Sequence, residues 1–239
     1  MPPQTPLLRP GRYFRERELH PGRVFLAVCL VLFGALGLVY GVGHVLASHV
    51  DGTVLVDNPE RPPETFCEGT VDPPGFDDDA CDAPQQVERN VDRIIERAIG
   101  EIAGIVFVGM ALVVVGLTLV VHTGSWLAGG SNGLGASFAV TVWGLTPIVL
   151  TVPVSLVALS IVLDPVTVST ASEPTSVFAK MEAQIRSFGW IGTVSSVVSG
   201  LWSAVIWKFG LEHRRDLTGA EATTVAGATA LLLVLGGAI

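Results

Sequence analysis

Lysine is almost missing from this chain: Lys180 and Lys208 are the only two among 239 residues. Charge of either sign is scarce as well, at 15% of positions, where a soluble domain carries roughly 25%. No basic cluster marks a nucleic-acid surface, and the 14 basic residues are outnumbered by 22 acidic ones. A zinc hydrolase would need a string such as H-E-x-x-H along one helix, and the five histidines form none. The centres of the long apolar runs hold no Asp, Glu, Lys or Arg; His44 is the deepest titratable group, with Glu101 and Glu221 at predicted edges. Coupled transporters and proton relays keep ionisable groups at such depths, and many show an inverted repeat that is not evident here. No catalytic residue and no cofactor is nominated.

What the chain does have is apolar residues, 49% of the total, gathered in long uncharged runs. A bilayer core about 30 Å thick needs roughly 20 such residues as helix. The expected fold is all-α, a polytopic membrane protein with about five transmembrane helices. A basic arm, residues 1–23, holds Arg9, Arg12, Arg15, Arg17 and Arg23. The first span, 24–50, runs for 27 residues without Asp, Glu, Lys or Arg. Signal-peptide cores are only about 7–15 residues long, so this run reads as an uncleaved helix. The remaining spans are expected at 102–121, 138–163, 188–207 and 222–239. The third contains Pro147 and Pro153, which should kink it.

Between the first two spans lies the main hydrophilic insert, 51–101, with 14 acidic and four basic residues. Its prolines suggest a loop. From Glu88 onward Val91, Ile94, Ile95, Ala98 and Ile102 recur at helical spacing, so the second helix is expected to begin outside the bilayer. Cys67 and Cys81 lie in this insert; on an oxidising face they would pair and close a loop worth roughly 3 kcal/mol. Cys29, inside the first span, reads as an apolar filler. Asp77, Asp78, Asp79 and Asp82 surround Cys81 and are the weak metal candidates, since hard cations favour clustered oxygens. The spaced calcium loop is absent, and no metal is assigned.

Lys scarcity alongside abundant Asp, Glu, Ala, Val, Gly and Thr resembles proteins of salt-loving archaea, which would make the acidic surface a solvent adaptation. The shorter links are an uncharged Gly-rich turn at 122–137, an outer link at 164–187 and a basic loop at 208–221. Phe178, Met181, Ile185 and Phe188 share a helical face in the outer link, the pattern of a short interfacial helix. Counting Lys and Arg in the flanks places the N-terminus in the cytoplasm and the C-terminus outside the cell membrane. Gly37 and Gly41 in the first span, and Ser199 and Gly200 in the fourth, are small residues at spacings that let helices approach closely.

Two segments resemble the YIP family of membrane proteins, named for interaction with Ypt/Rab GTPases. The first is WLAGGSNGLGASFAVTVWGLTPIVLTVPVSL, where Gly129, Gly130, Gly133, Phe138, Gly144 and Pro147 match a Gly-rich turn leading into a helix with a central Pro. The second is WSAVIWKFGLEHRRDLTGAEATTVAGATALLL, similar to the family's last two helices and the basic loop between them. LLRPGRYF is similar to the opening segment. The resemblance implies one five-span domain over about 7–239 and no known catalysis. The implied role is a non-enzymatic scaffold or adaptor in the lipid bilayer, meeting an unidentified protein on its cytoplasmic side. Homo-oligomerisation is left open. The alternative is a small-solute transporter or channel using the kinked third helix and the Ser-lined fourth.

Overall fold

The computed structural model describes residues 4–67, 81–131, 133–168, 179, 182–184, 186 and 189–236. Five long apolar helices alternate in direction: α2 (Pro21–His49), α4 (Val91–Leu127), α5 (Leu134–Val162), α6 (Gly189–Arg214) and α7 (Gly219–Gly236). Each is long and apolar enough to cross a membrane. The short helices α1 (Pro10–Glu16) and α3 (Glu64–Cys67) join them. Helix α5 lies at the centre of the bundle and packs against α2, α4 and α6, while α7 lies on α6 and α4.

Local chemistry sets the helix ends. Pro21 occupies the first turn of α2, where its missing N–H is harmless, and the His20 ring accepts from the Gly22 amide at 3.3 Å. Helix α4 runs 37 residues, about 55 Å at 1.5 Å per residue, and so extends well beyond the hydrocarbon on the side of its N-terminus. It stops in a left-handed turn: Gly129 has φ +90°, its amide bonds the Trp126 carbonyl at 3.0 Å, and the Gly130 amide bonds Ser125 at 2.8 Å. That pair of bonds is the Schellman closure. Inside α5, Pro147 removes the donor that Trp143 would otherwise meet, and the Thr146 hydroxyl donates to the Trp143 carbonyl at 2.7 Å instead. Thr146 thereby meets the carbonyl that Pro147 frees.

The hydrophilic insert departs from its expected form. It carries strands β1 (Val50–Asp57) and β2 (Gln86–Asn90), which with β3 (Val166–Val168) make a sheet of order β2-β1-β3. β2 pairs antiparallel to β1 and β3 parallel. Glu88 and Arg89 therefore lie in a strand, and helix α4 starts only at Val91. The β-branched Val50, Thr53, Val54 and Val56 favour extended backbone. Gly52, with φ +131°, lets the Val168 carbonyl come where a side chain would stand. Cys67 and Cys81 are disulfide-bonded with Cα atoms 5.6 Å apart.

Other boundaries shift too. The Gly-rich turn shrinks from 122–137 to 128–133, because His122 to Leu127 continue α4 and Leu134 already belongs to α5. Ser125 tolerates the helix by donating its hydroxyl to the His122 carbonyl at 2.9 Å. Phe178, Met181, Ile185 and Phe188, which carry the expected interfacial helix, lie outside the described residues.

Candidate functional site: the Arg215 clamp

The end of the bundle that carries the N-terminus is assembled from three segments distant in sequence. Arg215 joins two of them and is almost fully buried, 1% exposed. Its Nε donates to Ser125 Oγ at 3.0 Å and its Nη1 to the Gly133 carbonyl at 3.4 Å. In return the Ser131 amide donates to the Arg215 carbonyl at 3.2 Å. Asp216 takes φ 54° and accepts from the Ser131 hydroxyl. The Gly-rich turn and the loop between α6 and α7 are thereby locked together. Gly130 allows this approach, since a Cβ there would lie 2.7 Å from the Ser125 carbonyl and 3.2 Å from that of Arg215.

Burial works against the Arg215 charge and lowers its pKa, while Asp216 acts in the opposite direction. Arginine remains protonated under such a shift, so the clamp is a permanent cation. Just beyond it Thr218 and Glu221 form a capping box for α7. The Thr218 amide donates to Glu221 Oε2 at 2.9 Å, and the Glu221 amide to Thr218 Oγ1 at 3.4 Å.

The third segment is the N-terminal arm. It is not a free basic tail: α1 folds onto α6 and buries Tyr13 and Phe14. The Tyr13 ring meets Phe14 edge-on at 5.2 Å and Trp143 at 5.7 Å. Trp202 Nε1 donates to the Leu7 carbonyl at 2.8 Å, and Gly11 lies flat on the Phe209 ring. Burial raises the Tyr13 pKa above the ordinary phenol value, opposed by its hydrogen bond and charge contact with Arg23 and by Arg214 and Arg17. Leu8 stands out from this arm, 87% exposed.

Among residues singled out from the sequence, Gly144 holds the tightest place: a Cβ there would overlap the Trp207 indole. Trp207 Nε1 donates to the Thr141 carbonyl at 3.2 Å across the same contact. Pro147 is buried beside it, and Phe138 packs half-buried against the core. Gly133 caps α5, with open space about its Cα. Gly200 faces Val234 of α7, and Ser199 turns its hydroxyl back to the Ser196 carbonyl at 3.2 Å. The expected pairing of Gly37 with Gly41 is corrected. Gly41 lies under Leu156, but Gly37 meets nothing within 4 Å, and Gly34 under Val149 takes its role. A seven-residue step keeps both on the α5 side of the helix, whereas Gly37 is rotated away.

Asp82 is exposed, and Asp77, Asp78 and Asp79 lie outside the described residues. Among the described residues no group of three or more His, Cys, Asp and Glu could hold a metal. The turn also spells G-G-S-N-G over Gly129–Gly133, formally the G-x-S-x-G of hydrolase nucleophile elbows. That motif needs a strand-to-helix turn and a histidine partner. Here the turn joins two helices, and the Ser131 hydroxyl donates to Asp216.

Five antiparallel spans, the buried arm and the Gly-rich turn clamped to the last loop are the traits against which known families can be compared. The family model for the Yip1 domain matches residues 6–239. The chain belongs to the Yip1 family. No curated protein and no solved structure matches it. The Yip1 match takes in the arm from residue 6, the same arm whose Tyr13 and Phe14 are core residues here. Sequence reasoning gave the family and the number of spans but missed Arg215, Ser125 and Tyr13 as structural partners. A signal existed for one of these contacts: T-x-x-E at Thr218–Glu221 announces a helix start and so a tight turn just after Arg215.

Proposed function

We propose that this Yip1-family membrane protein is a non-enzymatic scaffold whose inner end, taken as cytoplasmic, docks a soluble protein. The observation that carries the reading is the locked surface itself. Arg215 ties the Gly-rich turn to the last loop, and α1 is packed against α6 beside them, so three exposed segments keep fixed relative positions. Leu8 projects from that surface as an unpartnered apolar side chain, with Arg9 and Arg15 exposed around it. Rigid, pre-organised surfaces bind with less ordering cost. The excess of Lys and Arg at this end, Lys208, Arg214 and Arg215 joining the five of the arm, supports the cytoplasmic assignment. An origin in a salt-loving archaeon is part of the same proposal and rests on composition alone.

The alternative, a small-solute channel through the fourth span, has less support. Val234 fills the space at Gly200, and the Ser199 hydroxyl is turned into its own helix. A photo-crosslinking residue placed at Leu8 tests the scaffold in the full chain. The expected result is an adduct with one soluble protein that disappears when Arg9 and Arg15 are replaced by Glu. Deleting the arm would be a poorer test, because it also removes Tyr13 and Phe14 from the core. No adduct at Leu8, together with proteoliposome flux that Ser199→Trp abolishes, would establish the channel instead.

A further inference from the structure

The opposite, sheet-bearing end holds a feature with no part in the inner surface. A cavity of about 590 Å³ opens between the sheet and the first turns of α4, within the usual size range of small-molecule sites. Val56, Val87 and Ile94 give it an apolar floor, and Arg89, Arg93 and Arg97 line it as well. The surrounding insert has only four basic residues against 14 acidic ones, yet three of the four converge here. The fourth, Arg61, donates to the Ala83 carbonyl.

Carboxylates also border the cavity, and strand geometry sorts them. Side chains alternate across a strand, so Arg89 shares a face with Val87, and Val54 and Val56 share the face opposite them in register. Glu88 falls on the other face with its neighbour Leu55, which is exposed, and Asp57 follows the same alternation. Asp57 and Glu88 nonetheless line the cavity at their strand positions, as does Glu60. Arg97 places its Nε 3.5 Å from Glu101. The guanidinium groups of Arg89 and Arg93 have no hydrogen bond or ion pair among the described residues.

Position relative to the bilayer narrows the ligand. Uncharged sequence begins at Ile102, and Arg97 lies five residues before it, about 7.5 Å further out along the helix. The polar layer on each side of a bilayer is about 5–8 Å deep, which puts Arg97 at headgroup level and leaves Arg93, about 13.5 Å out along the helix, on the aqueous side of that layer. Guanidinium forks match the oxygens of phosphate in pairs. We propose that this cavity binds a phosphate-type oxyanion, with Arg89 and Arg93 as its principal donors. The apolar floor would take the organic part of the molecule.

Native mass spectrometry of the full chain from mixed micelles tests this with phosphatidylglycerol, phosphatidylcholine and inorganic phosphate as probes. Wild type should retain phosphatidylglycerol over phosphatidylcholine. Arg89→Gln with Arg93→Gln should lower that retention roughly tenfold or more, the scale of losing charge-assisted bonds. Arg186→Gln, which removes a cation paired with Glu182, should leave it unchanged. Competition by inorganic phosphate would assign the site to free oxyanions; lipid retention untouched by phosphate would assign it to a headgroup. Equal retention by wild type and the double variant, or no preference for the anionic lipid and no phosphate binding, overturns the proposal. If the double variant aggregates, Arg93→Gln alone is read by the same criteria.

Discussion

Along α5 the surroundings change at Pro147. From Ala139 to Pro147 every side chain is buried, whereas Leu150, Val154, Val157 and Ile161 are exposed toward the hydrocarbon. Helix α6 repeats the contrast in reverse: Ser203, Ile206, Trp207, Gly210 and Leu211 are buried, and Trp190, Val194, Val198 and Leu201 are not. The exposed half of α5 is the more aliphatic of the two, and the exposed half of α6 is the uncharged one, so hydrophobicity is not what selects the buried halves. In lipid there is little gain from hiding one aliphatic surface against another, and close packing needs complementary shape. The half toward the Arg215 clamp has it, with Gly144 under Trp207 and Gly210 under Val140. In the half toward the sheet α2 and α5 still meet at Gly41 and Leu156. Helix α6 draws away there, and Leu38, Val42, Leu159 and Ile191 line an apolar cavity of about 270 Å³.

Substitutions can break this contrast in graded steps. Gly144→Val should have the largest effect, about 3 kcal/mol or more from overpacking against the indole, read as early unfolding in a denaturing-detergent titration. Cys67→Ser should cost about 3 kcal/mol in the chain-entropy account but act only at the sheet end. Limited proteolysis should then cut the insert while the half toward the Arg215 clamp stays protected; cleavage near Gly129 as well would mean the two ends are coupled. Arg215→Ala should cost about 2 kcal/mol through lost charged hydrogen bonds and raise amide exchange at Ser131. Thr218→Ala removes one half of the capping box, about 1 kcal/mol, seen as a small drop in melting temperature. Val157→Ala, on the lipid-facing half of α5, should change stability least of all, by under about 0.5 kcal/mol, with the melting temperature almost unmoved. A large effect there would show that another molecule packs on that face.

Much of the architecture was legible in the chain. Long uncharged runs can satisfy their backbone in lipid only as helices, so the five spans and the extension of α4 beyond the bilayer followed directly. Strands β1 and β2 were not, because their residues lie among prolines and acids, and a half-exposed strand of five to eight residues leaves little periodic signal. The Glu88–Arg89 pair fitted the helical pattern that follows it and was absorbed into it. The Gly-rich turn was recognisable by composition, but its six-residue extent depends on a Schellman closure that polar residues before it do not announce. Arg215 reads as half of an ordinary basic pair until its partners are known.

The sequence by itself determined the membrane-spanning class, the number of spans and the Yip1 family, because bilayer thickness turns composition and run length into geometry. Tertiary structure decided which faces pack and which meet lipid. Gly34 and Gly41 contact α5 while Gly37 meets nothing, although all three are the same residue in the same helix. It also converted a basic N-terminal arm into core through Tyr13 and Phe14, and a loop arginine into a clamp. Such contacts depend on which helices are neighbours and on the rotation of each about its axis. Residue type alone does not encode either.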